Sequence, residues 1–161
     1  MLIYLLRTSL VADDAPSVPE AQRYLSLEGR QIVRAIGNKI RLTEEPSFDR
    51  FVASPAPAAV QTAELFADRT DYVGVIETLP QLAVSTPPEV IVPLLLARAS
   101  SSPSALVVVA DEPLLASLGA FLVGRPTFPP AVHAQVSVIE DRRPMWYLRP
   151  GELGRQVLLV A

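Results

Sequence analysis

Two tripeptides hold the side chains best suited to chemistry. The apolar run Leu2 to Leu6 leads into Arg7-Thr8-Ser9, and the run Ala105 to Ala110 leads into Asp111-Glu112-Pro113. In α/β sheets, ligands sit beyond the carboxyl ends of the strands, so both tripeptides are expected at one site. Their chemistry is restricted. Thr8 or Ser9 attacks an electrophile only when a positioned base activates it, and the sequence supplies none but Asp111. Asp111 and Glu112 are neighbouring carboxylates that point differently and bring no His, a poor start for a metal site. Neither a metal nor a cofactor is expected. Arg7 and Asp111 suit a bidentate guanidinium–carboxylate pair; the plainer reading makes Arg7 a surface charge. His133, the one histidine, falls among strand residues and reads as a packed or rim side chain. Asp13-Asp14 and Glu44-Glu45 read as solvated surface.

These residues need a scaffold, and the hydrophobic pattern describes one. Strand-length apolar runs alternate with helical patterns, as in an α/β layer fold. Leu2 to Leu6 and Ala105 to Ala110 are continuous apolar runs, as strands buried on both faces require. A surface loop is expected over Ala12 to Tyr24. Ile32, Ile36 and Ile40 recur at helical spacing, which predicts a helix over roughly 27–42. Phe51 to Ala53 is a short strand, and Pro57 opens a helix that turns Ala59, Ala63, Phe66 and Ala67 inward. Val73 to Ile76 is a weak strand. Pro87-Pro88 opens a helix with Val90, Ile91, Leu94 and Leu95 on one face; Pro93 predicts a kink there or a start displaced beyond it. Pro113 starts a helix with Leu114, Leu115, Leu118, Phe121 and Leu122 facing the core, stopped by Gly124 and Pro126. Val132 to Ile139, Pro144 to Leu148 and Gln156 to Val160 read as strands, with turns at Asp141-Arg142 and Pro150-Gly151. The sheet is expected to be mixed, with an antiparallel edge.

Composition narrows the function classes. A chain of 161 residues fits a single domain over 1–161 and buries roughly two-thirds of its unfolded surface. Half its residues are hydrophobic and 19% are charged, which argues against disorder. The net charge of −3 lacks the basic surface that a nucleic-acid partner wants. The absence of cysteine rules out disulfides and fits a reducing cytoplasm, the expected location. No apolar run is long enough for a membrane span, and MLIYLLR lacks the basic lead of a signal peptide.

Ser54 to Glu64 reads SPAPAAVQTAE, the pattern SPxPxxxQTAE, and lies between the two tripeptides. With Arg23-Tyr24-Leu25-Ser26, Glu28-Gly29, Leu79-Pro80-Gln81-Leu82 and LVVVADEP, in that order, the chain resembles the histidine phosphatase superfamily, specifically its SixA-like protein-phosphohistidine phosphatases. The resemblance spans nearly the whole chain. It implies a three-layer α/β, phosphoglycerate-mutase-like fold, with a mixed, mostly parallel sheet flanked by helices. It also implies a phosphatase that attacks through a first His, with two arginines and a second His around the phosphoryl oxygens.

Carried over position by position, Arg7 matches the first Arg, and Arg23 matches the Arg of an Arg-Pro-Leu-Thr loop. The nucleophilic His falls at Thr8, the Arg after SPxP at Ala58, and the second His at Asp111. His133 stands where the family carries an apolar side chain. A threonine hydroxyl does not replace imidazole, and losing a covalent nucleophile costs on the order of 10⁴–10⁶ in turnover. A carboxylate about 4 Å from a phosphoryl group adds roughly 4 kcal/mol of repulsion per unit charge at an effective dielectric of about 20. The expectation is therefore a pseudophosphatase with a pocket remnant of Arg7, Ser9, Arg23 and Asp111, filled by its own Arg7–Asp111 ion pair. Loss of Asp111 should then cost several kcal/mol by stranding a partly buried Arg7. By family analogy the partner is a phosphotransfer or histidine-kinase domain, or a second copy of the chain. The alternatives are an active phosphatase with a rearranged site, using Thr8 or Asp111, and a structural subunit with a vestigial pocket.

Overall fold

The computed structural model describes residues 1–13, 16–83, 85–99 and 104–161. Its strands are β1 (Leu2–Arg7), β2 (Arg50–Ala53), β3 (Ile76–Thr78), β4 (Ala105–Ala110), β5 (Val136–Glu140), β6 (Arg143–Leu148) and β7 (Gln156–Val157). Its α-helices are α1 (Leu27–Arg41), α2 (Pro57–Arg69), α3 (Pro88–Leu96) and α4 (Leu114–Val123). The strands form one sheet in the order β3-β2-β4-β1-β5-β6-β7. The first four strands of that order are parallel, and β5, β6 and β7 add antiparallel pairings at one side.

Two apolar layers cover the sheet. Tyr4, Leu6, Phe51, Val107 and Val109 face α1 and α2, while Ile3, Leu5, Val52, Leu106 and Val108 face α3 and α4. Alternate residues of β1 and β4 thus serve opposite cores, which is why both strands are apolar throughout. α1 buries Val33, Ile36, Gly37 and Ile40 along one stripe, and its N-cap Ser26 accepts from the Gly29 amide at 2.9 Å. Gly29 must lack a side chain, because a Cβ there would stand 2.2 Å from the Leu10 carbonyl oxygen. This contact and the bond from Ser9 Oγ to the Gly29 carbonyl (2.9 Å) anchor the segment after β1 against α1.

Several expected elements shift, each for a local reason. The strand expected at Val73 to Ile76 forms instead at Ile76–Thr78, leaving Val73 and Val75 exposed. The chain first turns at Asp71 (φ 60°) and stacks Tyr72 on Phe51, with ring centroids 4.4 Å apart, before reaching the β2 edge. α3 begins at Pro88 and continues through Pro93, which is exposed and lacks the N–H that would bond the Glu89 carbonyl. Its buried residues are Ile91, Val92 and Leu95, and Val90 faces out. On α4, Phe121 is exposed and Gly119 is buried, because the Phe128 ring lies over Gly119 and takes the core position. The Gln156–Val160 strand shortens to Gln156–Val157.

The change that matters for function is in Val132 to Ile139, where the regular strand starts only at Val136. Ala134 adopts φ 60° and Gln135 N–H closes a turn on the Val132 carbonyl (3.1 Å). Arg7 exchanges backbone bonds with this turn, donating to Gln135 O (3.0 Å) and accepting from Ala134 N–H (3.1 Å). The turn therefore sits at the end of β1 and brings His133 over Thr8.

Of the expected surface carboxylates, Asp13 is exposed and Asp14 lies outside the described residues. Glu45 is not solvated surface. It accepts from the buried Tyr4 hydroxyl and pairs with Arg155, whose guanidinium lies 4.2 Å from the Trp146 ring centroid. Burial, then the bond to Glu45, pushes the Tyr4 hydroxyl pKa far upward, so Tyr4 remains a donor. No helix among the described residues is long and apolar enough to cross a membrane.

Candidate functional site

Three parallel strands end at one cavity. Beyond β1, Thr8 N–H donates to Ala110 O (3.0 Å); beyond β2, Ser54 N–H donates to Val109 O (2.8 Å). Since Arg7 pairs in register with Ala110, Thr8 and Asp111 are the next residues of neighbouring strands. A cavity of about 460 Å³ opens over them, lined among others by Arg7, Thr8, Ser9, Ala58, Asp111 and His133. Both tripeptides and the first turn of α2 thus converge on one site. A larger cavity of about 580 Å³ lies at the opposite end, between the carboxyl ends of α1 and α2. Its acidic residues are already engaged: Asp71 with Arg41 at 3.1 Å, Asp49 with Ala105 N–H at 2.7 Å, and Glu45 as above. The site at the strand ends is the one where both tripeptides meet.

Arg7 Nε donates to Asp111 Oδ1 at 3.0 Å, and Arg7 Nη1 donates to the Ala131 carbonyl at 2.7 Å. The pair is single-point: Nε alone reaches the carboxylate, and Nη2, the nitrogen that would complete a side-on bidentate pair, makes no bond to it. Asp111 Oδ1 also accepts from Glu112 N–H at 2.8 Å. The Asp111 side chain is 59% exposed and that of Arg7 21%. These facts correct two expectations. The pair does not fill the pocket, which stays open beside it, and its stability contribution belongs with exposed pairs at about 1 kcal/mol or less.

Arg23 is not brought to the cavity. Its Nε is held by the Val18 carbonyl at 2.8 Å, and Glu20 and Ala21 from the same loop line the cavity instead. Ser9 lines the cavity, but its hydroxyl is committed to Gly29 O and its N–H to Thr62 Oγ1 (3.2 Å). Thr8 is 5% exposed, and its hydroxyl makes no hydrogen bond among the described residues. His133 is a rim residue: its Nδ1 lies 3.1 Å from the Thr8 carbonyl. A carbonyl only accepts, so Nδ1 carries the proton, and Nε2 has no partner among the described residues. Its place was hidden in the sequence because the tight turn at Ala134 and Gln135 looked like strand.

Glu112 has a structural role that its place in the sequence does not announce. It staples two segments, its Oε1 accepting from Ala116 N–H (3.0 Å) in α4 and its Oε2 from Ala131 N–H (3.3 Å). Burial raises its pKa above the usual carboxylate range; those two N–H groups and the Arg7 charge act against the rise. The folded protein therefore holds this proton to higher pH than the unfolded chain does. Stability is expected to fall as pH rises from about 4.3, the ordinary Glu value, through the raised value. Denaturation series across that window should show this slope in the parent and its reduction in Glu112→Gln. An identical slope in both would place its origin at another group. Among the described residues no group of three or more His, Asp or Glu is placed to hold a metal ion.

Neither a protein-family model nor a curated protein sequence matches the chain. Solved structures do. The protein histidine phosphatase SixA complexed with tungstate superposes with a TM-score of 0.79 at 23% identity, covering 93% of this chain and 97% of that one. A protein from Agrobacterium tumefaciens, provisionally named phosphohistidine phosphatase SixA, gives 0.69 at 19%, covering 92% and 98%. A similarly named protein from Nakamurella multipartitia gives 0.70 at 17%, covering 94% and 96%. The similarity runs through the entire architecture, so the chain has the three-layer α/β fold of the histidine phosphatase superfamily, with SixA proteins among its structural neighbours.

Proposed function

We propose that the chain is a pseudophosphatase, a histidine-phosphatase fold kept as a binding or regulatory module without turnover. One observation carries this reading: the strand-end positions that match the family's two histidines hold Thr8 and Asp111, and the Asp111 carboxylate sits on Arg7. A threonine hydroxyl needs a base within hydrogen-bond reach, and none among the described residues bonds to the Thr8 hydroxyl. Asp111 opposes an incoming phosphoryl group, and Ala58 offers no side-chain charge to offset it. A protein partner follows by family analogy, either a phosphotransfer or histidine-kinase domain or a second copy of the chain. The alternative, an active phosphatase with a rearranged site, draws on His133, which lines the same cavity as Thr8 and whose Nε2 has no partner among the described residues. Phosphate-ester turnover that falls in His133→Ala would favour it.

The anion preference of the pocket tests the proposal. Asp111→Ala is expected to cost about 1 kcal/mol or less, since the pair is exposed and Arg7 keeps its bond to Ala131. It should also create a phosphate site, so that phosphate or sulfate raises the melting temperature of the variant and leaves the parent nearly unchanged. Equal anion stabilisation of both proteins would mean that Asp111 does not guard the pocket, and the chain would be a phospho-ligand binder.

A further inference from the structure

The cleft has a floor of hydrogen-bond donors and a mouth of carboxylates. α2 begins at Pro57 behind Ala56, an N-cap residue whose side chain cannot accept a hydrogen bond. The N–H groups of Ala58 and Ala59 consequently meet no acceptor among the described residues, and both residues line the cavity. Thr8, 5% exposed and lining the same cavity, keeps its hydroxyl unbonded. Arg7 uses Nε and Nη1, and among the described residues its Nη2 meets no acceptor. Donors held in a cavity without acceptors, at a helix N-terminus, call for an anion.

The carboxylates decide which anion. Asp111 is largely exposed, with Oδ2 unbonded, and Glu20 also lines the cavity. At equal distance they repel a dianionic phosphate twice as strongly as a monoanionic carboxylate. They also favour a cation close to that carboxylate. The cleft is longer than such a group requires. A second cavity of about 500 Å³ shares Leu82, Ala83, Asp111 and Glu112 with the first and extends past Pro87 to Ser117.

We propose that the cleft binds the C-terminus of a partner polypeptide. The terminal carboxylate lies on the Ala58 and Ala59 N–H groups, the Thr8 hydroxyl and Arg7 Nη2. The preceding residues leave through the second cavity, and a lysine or arginine among them meets Asp111 and Glu20. Capture of a chain terminus by free backbone amides is an established recognition mode. The inference rests on the reading of the domain as a binding module without turnover.

Calorimetric titration of the full chain with the acetylated tetrapeptide Ala-Ala-Lys-Ala, as free acid and as C-terminal amide, tests it. The acid is expected to bind, with the amide at least tenfold weaker and an acid with Glu in place of Lys weaker as well. Ala56→Asp supplies an internal cap for the same two N–H groups. It should raise the melting temperature yet weaken the free acid at least tenfold. Thr8→Val, which removes the hydroxyl and keeps the shape, should weaken it too. Equal binding of acid and amide, no binding of either, an unaffected Ala56→Asp, or acetate binding as tightly as the peptide would each overturn the inference. These outcomes are separate from the pseudophosphatase reading, which fails on turnover of phosphate esters, a quantity the titration does not register.

Discussion

A variant carrying Thr8→His, Ala58→Arg and Asp111→His together is expected to bind phosphate and regain measurable turnover of phosphohistidine or aryl phosphates, whereas Thr8→His alone gains little. The three positions answer different requirements at one cavity. Thr8 occupies the end of β1, where a nucleophile is worth on the order of 10⁴–10⁶ in rate. A His at that position still faces Asp111, whose charge opposes a phosphoryl group by roughly 4 kcal/mol per unit charge at about 4 Å and an effective dielectric near 20. Ala58 lies on the first turn of α2 and lines the cavity, so an arginine there has about 460 Å³ of open space to enter. Arg7 is already in place and, once Asp111 is removed, is free to turn its Nε toward a ligand. Steady-state assays of the single and triple variants decide the matter. Recovery by Thr8→His alone would show that Asp111 is no barrier; no recovery in a folded triple variant would show that the backbone around the pocket has lost its productive geometry.

The largest stability effect is expected from Phe66→Ala, at about 3–5 kcal/mol. Phe66 is fully buried on α2, with ring centroids 6.0 Å from Phe48 and 6.1 Å from Phe51. Phe51 in turn stacks on Tyr72, so the side chain closes an aromatic cluster joining α2 to β2 and to the turn before β3. Truncation leaves a cavity that the cluster, braced on the sheet, cannot collapse to fill. Because α2 also forms the cavity floor at Ala58 and Ala59, the variant should bind pocket ligands less well even where it remains folded. Urea denaturation measures the first effect directly. A loss below about 1 kcal/mol would mean that the site collapses freely, a mildness that only well-relaxing core positions show.

The layers of the fold were legible because burial on both faces leaves an unmistakable apolar run, as at Leu2–Leu6 and Ala105–Ala110. The helices at Leu27 and Pro57 were legible from their spacing. Side chains at helix margins were not: whether Phe121 or Gly119 faces the core depends on Phe128, which arrives from a separate segment. The convergence of Arg7, Thr8, Ala58 and Asp111 followed from strand ends and from the family pattern. The single-point geometry of the Arg7–Asp111 pair did not, because it depends on how side chains from distant segments are turned: Asp111 Oδ1 also accepts from Glu112 N–H, and Arg7 Nη1 is held by the Ala131 carbonyl, more than a hundred residues away in sequence. His133 and Glu112 were hidden for the same reason. Their roles depend on Ala131 and the turn that follows it, a segment brought to the end of β1 by contacts that no local periodicity records.

The central claim is that phosphatase chemistry is absent from this pocket. The most direct measurement is turnover of phosphohistidine and an aryl phosphate by the purified parent protein beside Thr8→Ala. Rates at background for both, indistinguishable from each other, are the predicted result. Turnover well above background in the parent, abolished in Thr8→Ala, would contradict it and make Thr8 a working nucleophile.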